Sequence, residues 1–307
     1  MWGVVFVTFF EKKVTPKRRV AADKSRFGLC NAKAWQSHAE DYTKLSQKGH
    51  RNMNTAIVTG ASSGIGREFV LQLANDSDID EIWVIARREQ RLAALKNEVD
   101  KPIYVLPLDL TDKNALARYS DELKLRNPNV TLLVNCSGFG KFGGCGEIPI
   151  DDSLDMIDLN CKALTYITEK TVPYMGSGAR IIELCSCSAF QPLPYMNVYA
   201  ATKAYVLSYS RALFNELKPK NIHVLAVCPS WVKTEFIDSA KSTDSNAVKN
   251  FANIYTADRI VSLALRDSKK FNKQLSVCGL PTIMQHIATT LFPPRIAMRM
   301  WHNMQEK

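Results

Sequence analysis

The chain has 307 residues, 46% of them hydrophobic and 23% charged, which is the composition of a globular protein with material for one large core or two small ones. Its formal net charge of +10 is uneven: residues 1–52 hold eleven Lys/Arg against four Asp/Glu, or +7, and the other 255 residues carry only +3. The body therefore gives no case for nucleic-acid binding. Eight cysteines, at 30, 136, 145, 161, 185, 187, 228 and 278, form no CxxC pair. They read as reduced, buried thiols of a cytoplasmic protein, neither a disulfide frame nor a zinc site.

The first ten residues, MWGVVFVTFF, are apolar, and EKKVTPKRR follows. Ten residues fall short of the roughly 20 that span a bilayer. No charged stretch precedes the run and no small-residue cleavage site follows, so a secretory signal is not expected. Residues 11–52 are polar and aperiodic and read as disordered. The folded protein is expected to begin at Met53, with residues 1–52 a basic, dispensable leader; the competing reading is a weak membrane-surface anchor.

From residue 54 short apolar runs alternate with amphipathic stretches. Strands are predicted at 55–59, 81–86, 102–110, 130–135, 179–185, 222–228 and within QLSVC near 276. Helices are predicted near 64–75, over 88–99, from 112 to about 126, over 152–175 and 198–218, and near 257–267. This alternation predicts one α/β domain over 53–280, a doubly wound parallel sheet. The stretch 281–307 is an apolar, basic tail, read as a lid or an interface element.

TGASSGIG (59–66) joins the first strand to the first helix. Gly60 permits the tight turn, Gly64 lets backbone approach a pyrophosphate, and Gly66 lets helix pack on strand; the helix N-terminus offers free N–H groups to the phosphates. The spacing is GxxxGxG, and the trio alone is weak evidence. The second strand ends in Ala86-Arg87-Arg88, with no acidic residue to grip a ribose 2′-hydroxyl. Two arginines suit a 2′-phosphate, which favours NADP(H), with NAD(H) possible; the plainer reading has them start the next helix.

NVYAATKAY (197–205) places Tyr199 and Lys203 one helical turn apart, and Tyr166 and Lys170 repeat that spacing. Ser186 lies thirteen residues before Tyr199 and Ser153 thirteen before Tyr166. Context separates the two sets. Ser186 ends an apolar strand, where open α/β sheets bind ligands, whereas Ser153 lies among Asp151, Asp152 and Asp155 in helix-cap composition.

Taken together these segments resemble the short-chain dehydrogenase/reductase family in its simple single-domain branch, over about residues 54–280. The resemblance implies a Rossmann-type sheet of about seven strands. It implies a cofactor site of Gly60, Ser62, Ser63, Gly64, Ile65 and Gly66, with Arg87 and Arg88, Asp109 and Leu110 beside the adenine, and Asn135, Ser137 and Gly138 of NCSG under the cofactor. Pro229, Val232 and Thr234 of PSWVKT would lie over the nicotinamide, with Tyr199 and Lys203 also touching the cofactor. It also implies a catalytic set of Asn160, Ser186, Tyr199 and Lys203.

In that set Tyr199 exchanges the proton, and an adjacent ammonium on Lys203 is expected to lower its pKa. Ser186 would hydrogen-bond the substrate oxygen, and Asn160 would hold a water for proton supply. Cys136-Ser137, Cys185 and Ser230 depart from the usual family residues without removing a catalytic group. No metal-ligand spacing is visible. Phe139, Phe142, Phe190, Tyr195, Trp231 and Phe236 are expected to ring a pocket for a lipophilic ketone or alcohol.

The run SAFQPLPYMNVYAATKAYV resembles the hydroxysteroid dehydrogenases, which points to a steroid or bile acid. Alternatives are a reductase of other small carbonyl compounds and a dinucleotide-binding regulator or scaffold without turnover. The family usually pairs the helix over 198–218 between subunits, which implies a homodimer or homotetramer; a membrane partner is not expected.

Overall fold

The computed structural model describes residues 53–241, 248–251 and 254–306. The expectations for the leader lie outside the described residues. Among the described residues there are seven strands: β1 (Asn54–Thr59), β2 (Glu81–Ala86), β3 (Ile103–Pro107), β4 (Asn129–Asn135), β5 (Met175–Leu184), β6 (His223–Val227) and β7 (Leu275–Ser276). They form one sheet in the order β3-β2-β1-β4-β5-β6-β7 with every pairing parallel. This is the Rossmann-type doubly wound sheet. Its strand order reverses between β1 and β4, so the loops leaving those two strands open a crevice at the carboxyl edge.

The apolar runs make strands because both of their faces are covered. Ala56, Val58, Ile82, Val84, Leu132 and Val134 pack into one core, while Ile57, Trp83, Ile85 and Leu133 pack into another on the opposite face. The covering helices are α1 (Gly64–Leu73), α2 (Glu89–Ala94), α3 (Lys113–Arg126), α4 (Ile150–Ile157), α5 (Leu164–Thr171), α6 (Asn197–Leu217), α7 (Glu235–Ala240), α8 (Ala257–Ser268), α9 (Leu280–Leu291) and α10 (Pro294–Glu306). Asp112 caps α3 by accepting from the Asn114 N–H at 3.1 Å, and Asn127 ends it in the left-handed region at φ 43°.

Several elements differ from their predicted extents. The helix expected over 88–99 is only α2 plus a 3-10 turn, Leu95–Asn97. The strand expected over 102–110 stops at Pro107, freeing Leu108, Asp109 and Leu110 to turn toward the crevice. The region expected as one helix over 152–175 is α4 and α5 joined by a π-helical turn, Asp158–Ala163, and closed by a 3-10 turn, Val172–Tyr174. The tail is two helices, α9 and α10. Leu213 of α6 is buried against the sheet, while Tyr205 stays exposed and stacks on Tyr209.

Candidate active site

A cavity of about 950 Å³ runs along the carboxyl edge of the sheet. One end is built by the glycine loop. Gly60 and Gly64 have φ of 69° and 54°, a conformation that side chains other than glycine rarely adopt. A Cβ on Gly66 would lie 2.3 Å from the Gly60 carbonyl oxygen, so the third glycine is required by contact between helix and loop. Ser63 precedes α1 in extended conformation and makes no side-chain cap, leaving the first-turn N–H groups facing the cavity. This cradle fits a dinucleotide pyrophosphate. The Thr59 hydroxyl accepts from the N–H groups of Cys136 and Ser137 at 3.0 and 3.1 Å, tying the glycine loop to the turn after β4.

At the outer rim Arg88 donates to Ser62 Oγ at 3.1 Å, Ser63 Oγ at 2.6 Å and Glu235 at 2.8 Å, and Arg91 reaches the other Glu235 oxygen at 2.6 Å. Hydrogen bonds from Arg88 and Arg91 hold the Glu235 carboxyl below its ordinary pKa. Arg87 points further outward, its side chain 72% exposed and 3.8 Å from Asp109. Arg88 is therefore the arginine locked onto the loop. Nothing in the sequence points to Glu235 and Arg91 at this rim, since no spacing joins residues 144 apart.

The middle of the cavity carries Ser186, Tyr199 and Lys203. Tyr199 and Lys203 project from the first turns of α6. Ser186 follows β5 in extended backbone and caps a 3-10 turn, Cys187–Phe190, accepting from the Ser188 N–H at 3.1 Å. Burial raises the Tyr199 phenol well above its ordinary pKa, while a hydrogen bond with Ser186 pulls it the other way. Burial also lowers the Lys203 ammonium, which donates to the Leu184 carbonyl at 2.8 Å. The expected lowering of the phenol by Lys203 is thus not what governs it. The ammonium is 5.8 Å from the ring centre, and burial is the leading influence on the phenol.

Asn160 lies beneath the cavity, fully buried, in the π-helical turn between α4 and α5. Its Oδ1 accepts from the Phe139 N–H at 3.1 Å, and its Nδ2 donates to the Phe139 carbonyl at 2.9 Å and to Thr202 Oγ1 at 3.1 Å. The side chain clamps the NCSG turn to α6. A Cβ on Gly138 would lie 2.8 Å from Asn160 Oδ1, so this turn also needs its glycine. Asn135 is buried below the cavity, whereas Ser137, Gly138, Asp109, Leu110, Ile65, Pro229, Val232 and Thr234 line it.

Of the expected pocket residues, Phe139, Trp231 and Phe236 line the cavity, and the Phe236 ring sits 5.4 Å from that of Tyr199. Phe142 packs behind Trp231 at 5.9 Å, Phe190 lies tilted against His286 at 4.2 Å, and Tyr195 lies outside the cavity lining, 37% exposed and at φ 65°. The other end is closed by groups the sequence did not single out: Leu193, Met196, Met284 of α9, Phe292 between α9 and α10, and Met300 and Trp301 of α10. Trp301 donates its indole N–H to the Pro194 carbonyl at 3.1 Å, pinning α10 over the segment before Tyr199. Tyr166 instead is half-buried against the core on the sheet face opposite α1, bonded to Ser120 at 2.8 Å. Among the described residues there is no cluster of three or more His, Cys, Asp or Glu that could hold a metal ion, and no helix long and apolar enough to cross a membrane.

A parallel doubly wound sheet with a glycine cradle at its switch point, and a Ser, Tyr and Lys on one wall of the same crevice, defines a dinucleotide-dependent oxidoreductase. A short chain dehydrogenase profile matches residues 54–245. The chain belongs to the short-chain dehydrogenase/reductase family. It is 29% identical over 208 residues to a probable short-chain type dehydrogenase/reductase, VdlC, of Helicobacter pylori, covering 64% of this chain and 75% of that one. It is 30% identical over 202 residues to the NADP-dependent 3-hydroxy acid dehydrogenase YdfG of Escherichia coli, covering 64% and 81%. The NADPH complex of a short-chain dehydrogenase from Sphingobium yanoikuyae superposes with a TM-score of 0.66 at 26% identity, covering 81% of this chain and 96% of that one.

Proposed function

We propose that the protein interconverts a secondary alcohol and a ketone on a bulky lipophilic substrate with NADP(H), Tyr199 acting as general acid and base. One observation carries this reading: Ser186, Tyr199 and Lys203 share a wall of the cavity whose far end is the glycine cradle. When bound, the reduced cofactor supplies a hydride to the carbonyl carbon. Tyr199 gives its proton to the carbonyl oxygen, and the Ser186 hydroxyl donates a hydrogen bond to the same oxygen as charge develops. A phenol carries its proton at neutral pH and burial raises its pKa further, so Tyr199 enters the reduction in its protonated form. Lys203, which lines the cavity beside Tyr199, would hold the cofactor ribose and pass the replacement proton inward. Asn160 holds the turn under the nicotinamide in register with α6.

Preference for the 2′-phosphate is supported by Arg88 and Arg91 at the rim, the absence of an acidic residue at Ala86, and the NADP-dependent relative and NADPH-bound neighbour. The apolar end opposite the glycine cradle, lined by Trp231, Phe292, Met300 and Trp301, suits a steroid or bile acid. We place the enzyme in the cytoplasm as a homodimer or homotetramer, with exposed Tyr205 of α6 available for pairing.

The test is NADPH oxidation followed by absorbance against a panel of ketones, keto-steroids and keto-bile acids first. Wild type is expected to turn over at least one of them. Tyr199→Phe is expected to lose turnover by about three orders of magnitude while its NADPH affinity stays within about twofold. Near-normal turnover in that variant would remove Tyr199 from the chemistry.

A further inference from the structure

Glu183 is the penultimate residue of β5 and is fully buried. In the parallel register it stands opposite Asn135, the last residue of β4. Its Oε1 accepts from Thr168 Oγ1 at 2.9 Å and from Asn135 Nδ2 at 3.2 Å. The same Asn135 amide donates to Thr168 Oγ1 at 2.9 Å, and Thr168 Oγ1 also lies 2.9 Å from the Leu164 carbonyl. Those contacts exhaust the donors, which are one amide NH₂ and one hydroxyl. Two buried acceptors, Glu183 Oε2 and Asn135 Oδ1, are left with no hydrogen-bond partner. An ionised carboxylate would leave both bare, at the cost of burying unsatisfied oxygens and a charge. A proton on Oε2 turns one of the two acceptors into a donor.

We propose that Glu183 is a positioning residue that works as a neutral carboxylic acid, hydrogen-bonding Asn135 Oδ1 and so fixing the end of β4 from which Cys136, Ser137 and Gly138 turn under the cofactor. This rests on the cavity being the dinucleotide site. Glu183 also precedes Leu184, whose carbonyl holds the Lys203 ammonium at 2.8 Å, so one strand end orients both the turn and the lysine. The titratable groups that feel its charge are Lys203 and Tyr209 of α6 and Cys136 of the turn. Burial outweighs the hydrogen bonds from Thr168 and Asn135 and the field of Lys203, and the carboxyl is pushed up to about 7. A raised carboxyl contributes stability fully below its ordinary value of 4.5, and that contribution is lost as pH rises through about 7.

Glu183→Gln keeps the shape and supplies a permanent donor in place of the O–H. Thermal unfolding of wild type and Glu183→Gln without cofactor, and their KM for NADPH, are measured between about pH 5.5 and about pH 8.5. The Gln variant is expected to gain in Tm relative to wild type as pH rises. The wild-type KM is expected to climb several-fold over that interval while the Gln variant stays flat and Glu183→Ala is high throughout. A Tm difference that does not change with pH, or parallel KM profiles for wild type and Gln, overturns the proposal. An infrared difference spectrum of wild type over the same interval should lose a protonated-carboxyl band, and its absence also overturns the proposal should the Gln variant fold poorly. The unfolding and infrared measurements need no cofactor, so a protein that failed to bind NADPH would defeat the cofactor reading and leave them standing.

Discussion

Arg88 was expected to meet a 2′-phosphate simply because it follows a strand that lacks a terminal acid. The fold gives it a fixed seat on Ser62 and Ser63, with Glu235 as the counter-charge that a phosphate would displace or share. The neighbouring Arg87 is too exposed to be held in one place. Arg88→Ala is therefore expected to raise KM for NADPH about tenfold or more and leave KM for NADH within about twofold, a loss of one charge-assisted contact. Parallel steady-state titrations with the two cofactors check it. The residue types of this rim were legible in the sequence. Which arginine faces the loop was not, because that depends on Glu235, which α7 brings in after β6.

At the scale of elements, short apolar runs located the strands to within a few residues, since a strand covered on both faces tolerates little else. The misjudged pieces are those whose ends are set by neighbours. Pro107 stops β3, and the π-helical turn between α4 and α5 is held by Asn160 bonding to Phe139 and Thr202. The junction of β1 and α1 is the tightest. A methyl at Gly66 would meet the Gly60 carbonyl, which is backbone and cannot swing aside. Gly66→Ala is expected to cost on the order of 2 kcal/mol and to weaken NADPH binding as the loop shifts. Calorimetry and a fluorescence titration of the variant measure the two effects.

For the molecule as a whole, α9 and α10 convert an open crevice into a closed substrate end. Ala297 and Trp301 are buried, and Gln305 accepts from the N–H groups of Lys249 and Asn250 at 2.9 and 3.0 Å, so α10 is fastened to the body at several points. A chain ending before Pro294 is expected to bind NADPH with KM changed by no more than about twofold. Its KM for the ketone should rise roughly tenfold, equivalent to about 1.4 kcal/mol of lost apolar contact. Steady-state kinetics with both substrates varied separates the two ends of the cavity.

The sequence by itself determined the family and the parallel sheet and marked Tyr199, not Tyr166, as the candidate for the crevice, because these follow from local patterns: apolar strands, glycines where backbone must bend, and a serine at a strand end. Only the tertiary structure decided the rest. It put Glu235 on Arg88, sent Phe142 behind the pocket and Trp301 into its wall, and let burial rather than Lys203 set the acidity of Tyr199. Those outcomes depend on which groups lose water together, and that is fixed by contacts between segments far apart in the chain.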